Sequence, residues 1–480
     1  MPTFRQPHRP FARILARAIP GIIMLAAPLF AQSPESTDPL LQPLPEYVRP
    51  APGQPLPATE QQFDEMLAFA ATDSPVMREQ ADSVAQSDAS RFRSWMRHMP
   101  LISASYSAGL YYQTSVSGSS SSTFTPGGSV TLQASEPLFH WGAFDAQTDL
   151  GILKEQIAQN DAILAYAQLC VDLRRRYLGL VVQKAQAGLL EARVASAKNR
   201  LDKQHLLLAQ GRATPAQVNQ SELDWNAAQI RRDEAQARFK SQLAEFRRLS
   251  GSRSFEARDV PDYIFVPVLD QSDLAAQYAE YQKNGFNQSL TARKADLDEK
   301  ALDRQITISN ANHLPMFDLT ASISQAPYIN DSNKGLKFAT IFFIGVTGSW
   351  NLFDRGETLA ATQALYAQKR LAETKLADSR DETFNDAQDS LNRIDLGLRA
   401  LGVLKSEYQQ QQQDYGRVQI LQRTGQMEQT GLDDARDALL DTREQILSRQ
   451  ADIAAAYYSF LADIFRDPAL ANAPPFTKPR

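Results

Sequence analysis

The sequence holds a single cysteine, Cys170, among 480 residues. One thiol excludes an intrachain disulfide and any zinc site built on cysteines. Positive charge is not in excess: 50 Lys and Arg against 55 Asp and Glu give a formal net charge of −5. The electrostatic footprint of a nucleic-acid-binding protein is therefore missing. Mean hydropathy is −0.38, too low for a chain made of many transmembrane helices. The sequence also lacks a Walker-type phosphate loop, a Gly-x-Ser-x-Gly elbow and a His-Glu-x-x-His pair. Its five histidines, His8, His98, His140, His205 and His313, are scattered without metal-ligand spacing. No enzyme, metal or cofactor is expected.

Proline is absent from residues 328–467, yet 13 of the 26 prolines fall within the first 57 residues. A proline-free run of that length permits very long helices. At the start, Arg5, Arg9, Arg13 and Arg17 precede an apolar stretch, Ala18 to Ala31, and no acidic residue occurs among the first 31. This is the layout of a secretory signal, with cleavage expected after Ala31. Residues 32–60 read as a proline-rich linker that cannot build a core.

What remains is one unit written twice. His98-Met99-Pro100-Leu101 recurs as His313-Leu314-Pro315-Met316, 215 positions later. Leu138-Phe139-His140-Trp141-Gly142 recurs as Leu352-Phe353-Asp354-Arg355-Gly356, and Gly211 recurs as Gly425, both at an offset of 214. Each half reads as helix, strand, loop, strand, very long helix, turn and return helix. From Ala143 to Gln210 good helix formers dominate. Such a helix spans about 100 Å at 1.5 Å per residue. Ile157, Leu164, Val171, Leu178 and Ala185 keep a seven-residue spacing, the mark of a supercoiled seam. Cys170 fits as a small buried side chain on this helix.

The strands alternate. Ile102, Ala104, Tyr106, Ala108 and Leu110 are interleaved with Ser103, Ser105, Ser107 and Gly109. Similar alternation marks 128–137, 316–325 and 338–350. One apolar face and one small polar face, next to helices too long for a globular core, point to lipid and a membrane β-barrel. Four strands are too few to close a barrel, whose usual minimum is about eight. Three chains supplying twelve strands would close one.

This layout resembles the outer-membrane factor family, the TolC-like channels of efflux and type I secretion, over about 61–466. The resemblance rests on the two Leu-Phe-x-x-Gly junctions, the Met99-Pro100 and Leu314-Pro315 approaches, and Arg248-Leu249-Ser250-Gly251 closing the first half. It implies a mixed, mostly α fold of two structural repeats. A long coiled-coil α-helical barrel would join four membrane β-strands per chain, which contribute to a 12-stranded trimeric β-barrel. The expected organisation is a signal peptide at 1–31, a linker at 32–60 and a first repeat at 61–251. An equatorial connection at 252–277, a second repeat at 278–466 and a tail at 467–480 follow.

The implied function is a passive exit duct in the cell outer membrane with a long periplasmic extension. The implied partners are outer-membrane lipid, two further copies of the chain, a periplasmic adaptor and an inner-membrane pump of RND or ABC type. A structural coiled-coil tether is the competing class, but it has no use for four amphipathic strands placed symmetrically in two repeats.

The resemblance also proposes sites. The tips at Gly211, Arg212, Gly425 and Gln426 would dock the adaptor. The strand–helix junctions would be Leu138, Phe139 and Gly142, with Leu352, Phe353 and Gly356 as counterparts. Family members often carry Asp-Val-Leu-x-Ala after the second tip. Here Gly431 stands at the usual first aspartate, and Asp433 and Asp434 lie close by. Repeated around a three-fold axis, they would form the pore constriction. Trp141 and Trp350 are placed to anchor the junctions at the membrane interface.

Overall fold

The computed structural model describes residues 58–114, 122–264, 269–329 and 336–473. The expected signal peptide, the linker up to residue 57 and residues 474–480 of the tail lie outside the described residues. Two helices, α1 (Ala58–Asp73) and α2 (Pro75–Met96), lead into strands β1 (Leu101–Thr114) and β2 (Ser122–Phe139). The long α3 (Ala143–Ala209) and its return helix α4 (Pro215–Ser250) follow. A connecting region contains the short α5 (Gln271–Glu280). The second half then runs α6 (Leu290–Ala311), β3 (Met316–Ile329), β4 (Leu336–Ser349), α7 (Glu357–Arg423) and α8 (Gln429–Asp463).

The duplication of motifs is a duplication of structure. Helices α2 and α6 begin and end 215 positions apart, as do β1 and β3. Helices α3 and α7 are both 67 residues long, and their bounds differ by 214. Proline-free sequence rich in alanine and straight-chain residues lets each run unbroken.

The four strands form one antiparallel sheet in the order β1-β2-β3-β4. Its register sorts the residues by face. Ile102, Ala134, Ala321 and Ile344 form one row, and Ala104, Leu132, Ile323 and Phe342 form another on the same side. The opposite side carries Ser103, Gln133 and Ser322, then Ser105, Thr131 and Ser324; only β4 departs, with Phe343 and Ile341. Among the described residues, β1 and β4 pair on one side only, leaving two edges of 14 residues each. β2 starts at Ser122, ahead of the alternation beginning near 128, and passes through Pro126. Proline is tolerated on an edge, and here β3 first pairs with β2 at Val130.

The long helices form a layer with the same open character. α3 packs against α4 and α8, and α8 packs against α7, so the order is α4-α3-α8-α7. Next to the strands it is α2-α3-α6-α7. No described helix is long and apolar enough to cross a membrane.

The principal apolar clusters gather around the connecting region. One joins Leu67, Tyr166, Leu173, Val181, Phe246 and Val260. The other joins Tyr281, Phe286, Ile394 and Phe460. After α8 the chain turns at Phe465, whose φ is 55°, and returns to the first repeat. There Arg174 of α3 and Asp467, each 5% exposed, form a two-pronged ion pair. The Tyr458 ring lies 4.3 Å from the guanidinium, and Asp467 Oδ1 accepts the Ala469 N–H at 2.9 Å.

At the end of α8, burial pushes the Asp463 carboxyl up to about 7, with Asp386 adding repulsion. An unfolded carboxyl titrates near 3.9. Between about pH 4 and 7 the folded chain therefore binds more protons than the unfolded one, and stability falls as pH rises through that window. Asp463→Asn should remove this dependence and raise the unfolding temperature at pH 8 more than at pH 4. An equal change at both pH values in thermal scans would show that Asp463 does not carry it.

Candidate functional site

The two tips lie at the end of the long helices remote from the strands. Gly211 and Gly425 have φ of 68° and 74°, a left-handed turn that glycine adopts without strain. Arg212 N–H donates to Leu207 O at 2.8 Å, and Gln426 N–H donates to Leu421 O at 2.9 Å. These bonds close each long helix. In the first tip Thr214 starts α4. Its Oγ1 accepts the Gln217 N–H at 3.3 Å, while Gln217 Oε1 accepts the Thr214 N–H at 2.8 Å. Pro215 occupies the first turn, where a missing N–H costs nothing. The second tip is built differently. Glu428 precedes α8 without capping it by its side chain, and reaches Lys203 of α3 at 2.8 Å. Lys203 holds the Glu428 carboxyl below its usual range. Gly211, Arg212, Gly425 and Gln426 are all exposed.

Above the tips, α8 and α3 meet along a charged seam. Arg200 Nη1 lies 3.4 Å from Asp434 Oδ1, and Arg193 pairs with Asp441. The expected constriction residues separate here. The Asp434 side chain is 73% exposed. Asp433 is 4% exposed, accepts from Gln429 Nε2 at 3.1 Å and leaves Oδ2 buried without a partner. Asp437, one turn on, has a carboxyl raised by burial despite Arg193 and Arg200 nearby. Sequence reading passed over Arg193, Arg200, Lys203 and Asp437. The available signal was the seven-residue spacing of Arg193 and Arg200, matched by Asp434 and Asp441.

At the opposite end, each junction turns the chain through two left-handed residues, Trp141-Gly142 and Arg355-Gly356. Indole N–H donors tie these corners to the strand approaches: Trp141 Nε1 to Pro315 O at 2.8 Å, and Trp350 Nε1 to His313 O at 3.0 Å. His140 Nε2 meets Asp318 Oδ1 at 2.8 Å. Its repeat counterpart, Asp354, instead accepts the N–H groups of Gly356 and Thr358 at the start of α7. Leu138 and Phe139 are about half exposed, and Leu352 and Phe353 are more exposed still. Among the described residues, no group of three or more His, Cys, Asp or Glu is arranged to hold a metal ion.

Residues 287–460 match the family described as outer membrane efflux protein. Comparison with curated proteins gives no match. Solved structures share the fold over nearly the whole chain. The Campylobacter jejuni CmeC outer membrane channel aligns with a TM-score of 0.64 at 13% identity, over 94% of this chain and 95% of that one. The outer-membrane channel OprN aligns at 0.63 and 14%, over 89% and 99%. The open state of the Neisseria gonorrhoeae MtrE outer membrane channel aligns at 0.58 and 14%, over 84% and 90%. All three are outer membrane channels. Residues 287–460 thus match the outer membrane efflux protein family, and the chain has the fold of these solved outer-membrane channels.

Proposed function

We propose that this chain forms the exit duct of an efflux or type I secretion assembly in the outer membrane. Three copies would close twelve strands into a barrel and their helices into a periplasmic tunnel. The observation that carries the reading is the sheet itself. Its apolar rows gather on one face, and both of its edges are unpaired among the described residues. In lipid every strand N–H and C=O needs a partner, so an open edge there costs several kcal/mol per unsatisfied group. Joining β4 of one copy to β1 of the next removes all the edges. Because β1 and β4 run in opposite directions, the new pair is antiparallel like the rest.

The duct is passive. An inner-membrane pump, of RND or ABC type, would supply the energy and reach the tips through a periplasmic adaptor. A tether would leave the apolar rows of the sheet without a purpose. The mature chain extracted in detergent should have the native mass of three copies, and should conduct ions in planar bilayers. A monodisperse monomer without conductance would overturn the reading.

Within the duct, Asp434 has the pore-facing role, with buried Asp433 behind it. Three Asp434 carboxylates around one axis create a negative potential that favours cations. Asp434→Asn removes them and frees Arg200, so both changes act in one direction. Cation selectivity and block by multivalent cations should fall, read from reversal potentials in bilayers. Unchanged selectivity and block would leave Asp434 as a seam residue only.

A further inference from the structure

We infer that the seam between copies repeats the seam between the two halves of one chain, which fixes the residues that meet there. The inference rests on the trimeric reading and goes beyond it, because it assigns register. Within one copy, β2 meets β3, α3 meets α6, and α3 meets α8. The elements at the open edges are the repeat counterparts of these. β4 and α7 stand where β2 and α3 stand, shifted by 214 positions; β1 and α2 stand where β3 and α6 stand, shifted by 215. Shared geometry then carries each internal pair to a pair between copies.

In the sheet, Leu132 faces Ile323 and Val130 faces Gln325. The counterparts are Val346 with Ala108 of the next copy, and Ile344 with Leu110. Val346, Ile344 and Leu110 are largely exposed in the single chain. The pairing extends both apolar rows around the barrel without a break in phase, and a one-residue slip would turn them inward.

The helices supply an independent match. Lys294 of α6 pairs with Asp161 of α3 at 2.6 Å. Their counterparts are Glu79 of α2 and Lys375 of α7, both exposed. The charges are again opposite, with the polarity reversed. Among the described residues neither has an ion-pair partner. The other α3–α6 ion pair, Arg304 with Asp149, maps to the uncharged Ala89 and Gln363, so within this helix pair the match at Glu79 and Lys375 is selective. Lower down, Val403 of α7 is 68% exposed where its counterpart Leu189 is 8% exposed. On α4, Leu223 and Ile230 are 62% and 60% exposed, and they stand where α8 places Asp437 and Glu444. At these two positions apolar side chains on α4 replace acidic ones of α8, while Arg193 and Arg200 of α3 correspond to Glu407 and Asp414 of α7.

Cysteine pairing tests the register in the full-length protein. β1 and β4 lie three strand spacings apart in one sheet, about 14 Å, too far for a disulfide within a copy. Ala108→Cys with Val346→Cys should therefore oxidise to covalent dimers and trimers, while Ala108→Cys with Ile344→Cys or Gly348→Cys should not. If native mass shows a trimer but only a displaced pair crosslinks, or none does, the register is wrong and the trimer stands. A monomeric native mass removes the trimeric reading itself. For the helices, Glu79→Lys or Lys375→Glu alone should lower trimer recovery roughly two- to fivefold per seam, the scale of an exposed pair. The double reversal should restore it; a double reversal no better than the singles overturns the ion pair.

Discussion

Replacing Arg174 with methionine should destabilise the chain by about 3–5 kcal/mol, because it strands a buried carboxylate. Asp467 is 5% exposed and takes both prongs of the guanidinium. Without Arg174 its charge keeps only the Ala469 N–H. Asp467→Ala should cost a similar amount, since it leaves the guanidinium buried against the Tyr458 ring without its hydrogen-bonded anion. The double replacement Arg174→Met with Asp467→Leu should recover most of the loss, because a buried pair replaced by apolar groups is often close to neutral. A remainder of about 1 kcal/mol is expected from the lost cap on the short turn Pro468–Asn472. Inactivation half-lives at one elevated temperature would measure the cycle. Additive single losses would show that the two residues do not act as a pair.

That ion pair marks where sequence reading ends. Its members are 293 positions apart, and no periodicity links them. The same holds for Arg193 with Asp441 and Arg200 with Asp434: the facing of α3 and α8 is set by how two repeats pack. Asp433 and Asp434 look equivalent in sequence, yet a 100° step around α8 buries one and exposes the other. By contrast, features governed by local chemistry were legible. The proline-free run contains β4, α7 and α8. Gly142 and Gly356 mark the corners because two successive left-handed residues are needed there. Thr214 and Pro215 start α4 by capping rules alone. The repeat offsets of 214 and 215, visible in short motifs, proved to be the offsets of the elements themselves.

The tip glycines should separate transport from assembly more sharply than any other positions. An added Cβ at Gly211 or Gly425 meets no other atom within 4 Å, so contact of the Cβ with the fold does not oppose a valine there. It must instead hold a left-handed φ, which costs a residue with a Cβ about 1–2 kcal/mol, and more for a β-branched one. The turn would relax, moving Arg212 or Gln426 and, at the second tip, the Glu428 that Lys203 holds at 2.8 Å. The sheet edges and the Arg174–Asp467 clasp are remote from this change. Trimer recovery should therefore stay at the native level while export falls to background. Asparagine distinguishes the causes, because it accepts the left-handed region yet adds a side chain. If export survives Gly425→Asn but not Gly425→Val, the turn's shape is what the adaptor reads. Loss with both means that the tip surface must be bare. Full export with valine at both tips would remove the tips from the docking mechanism.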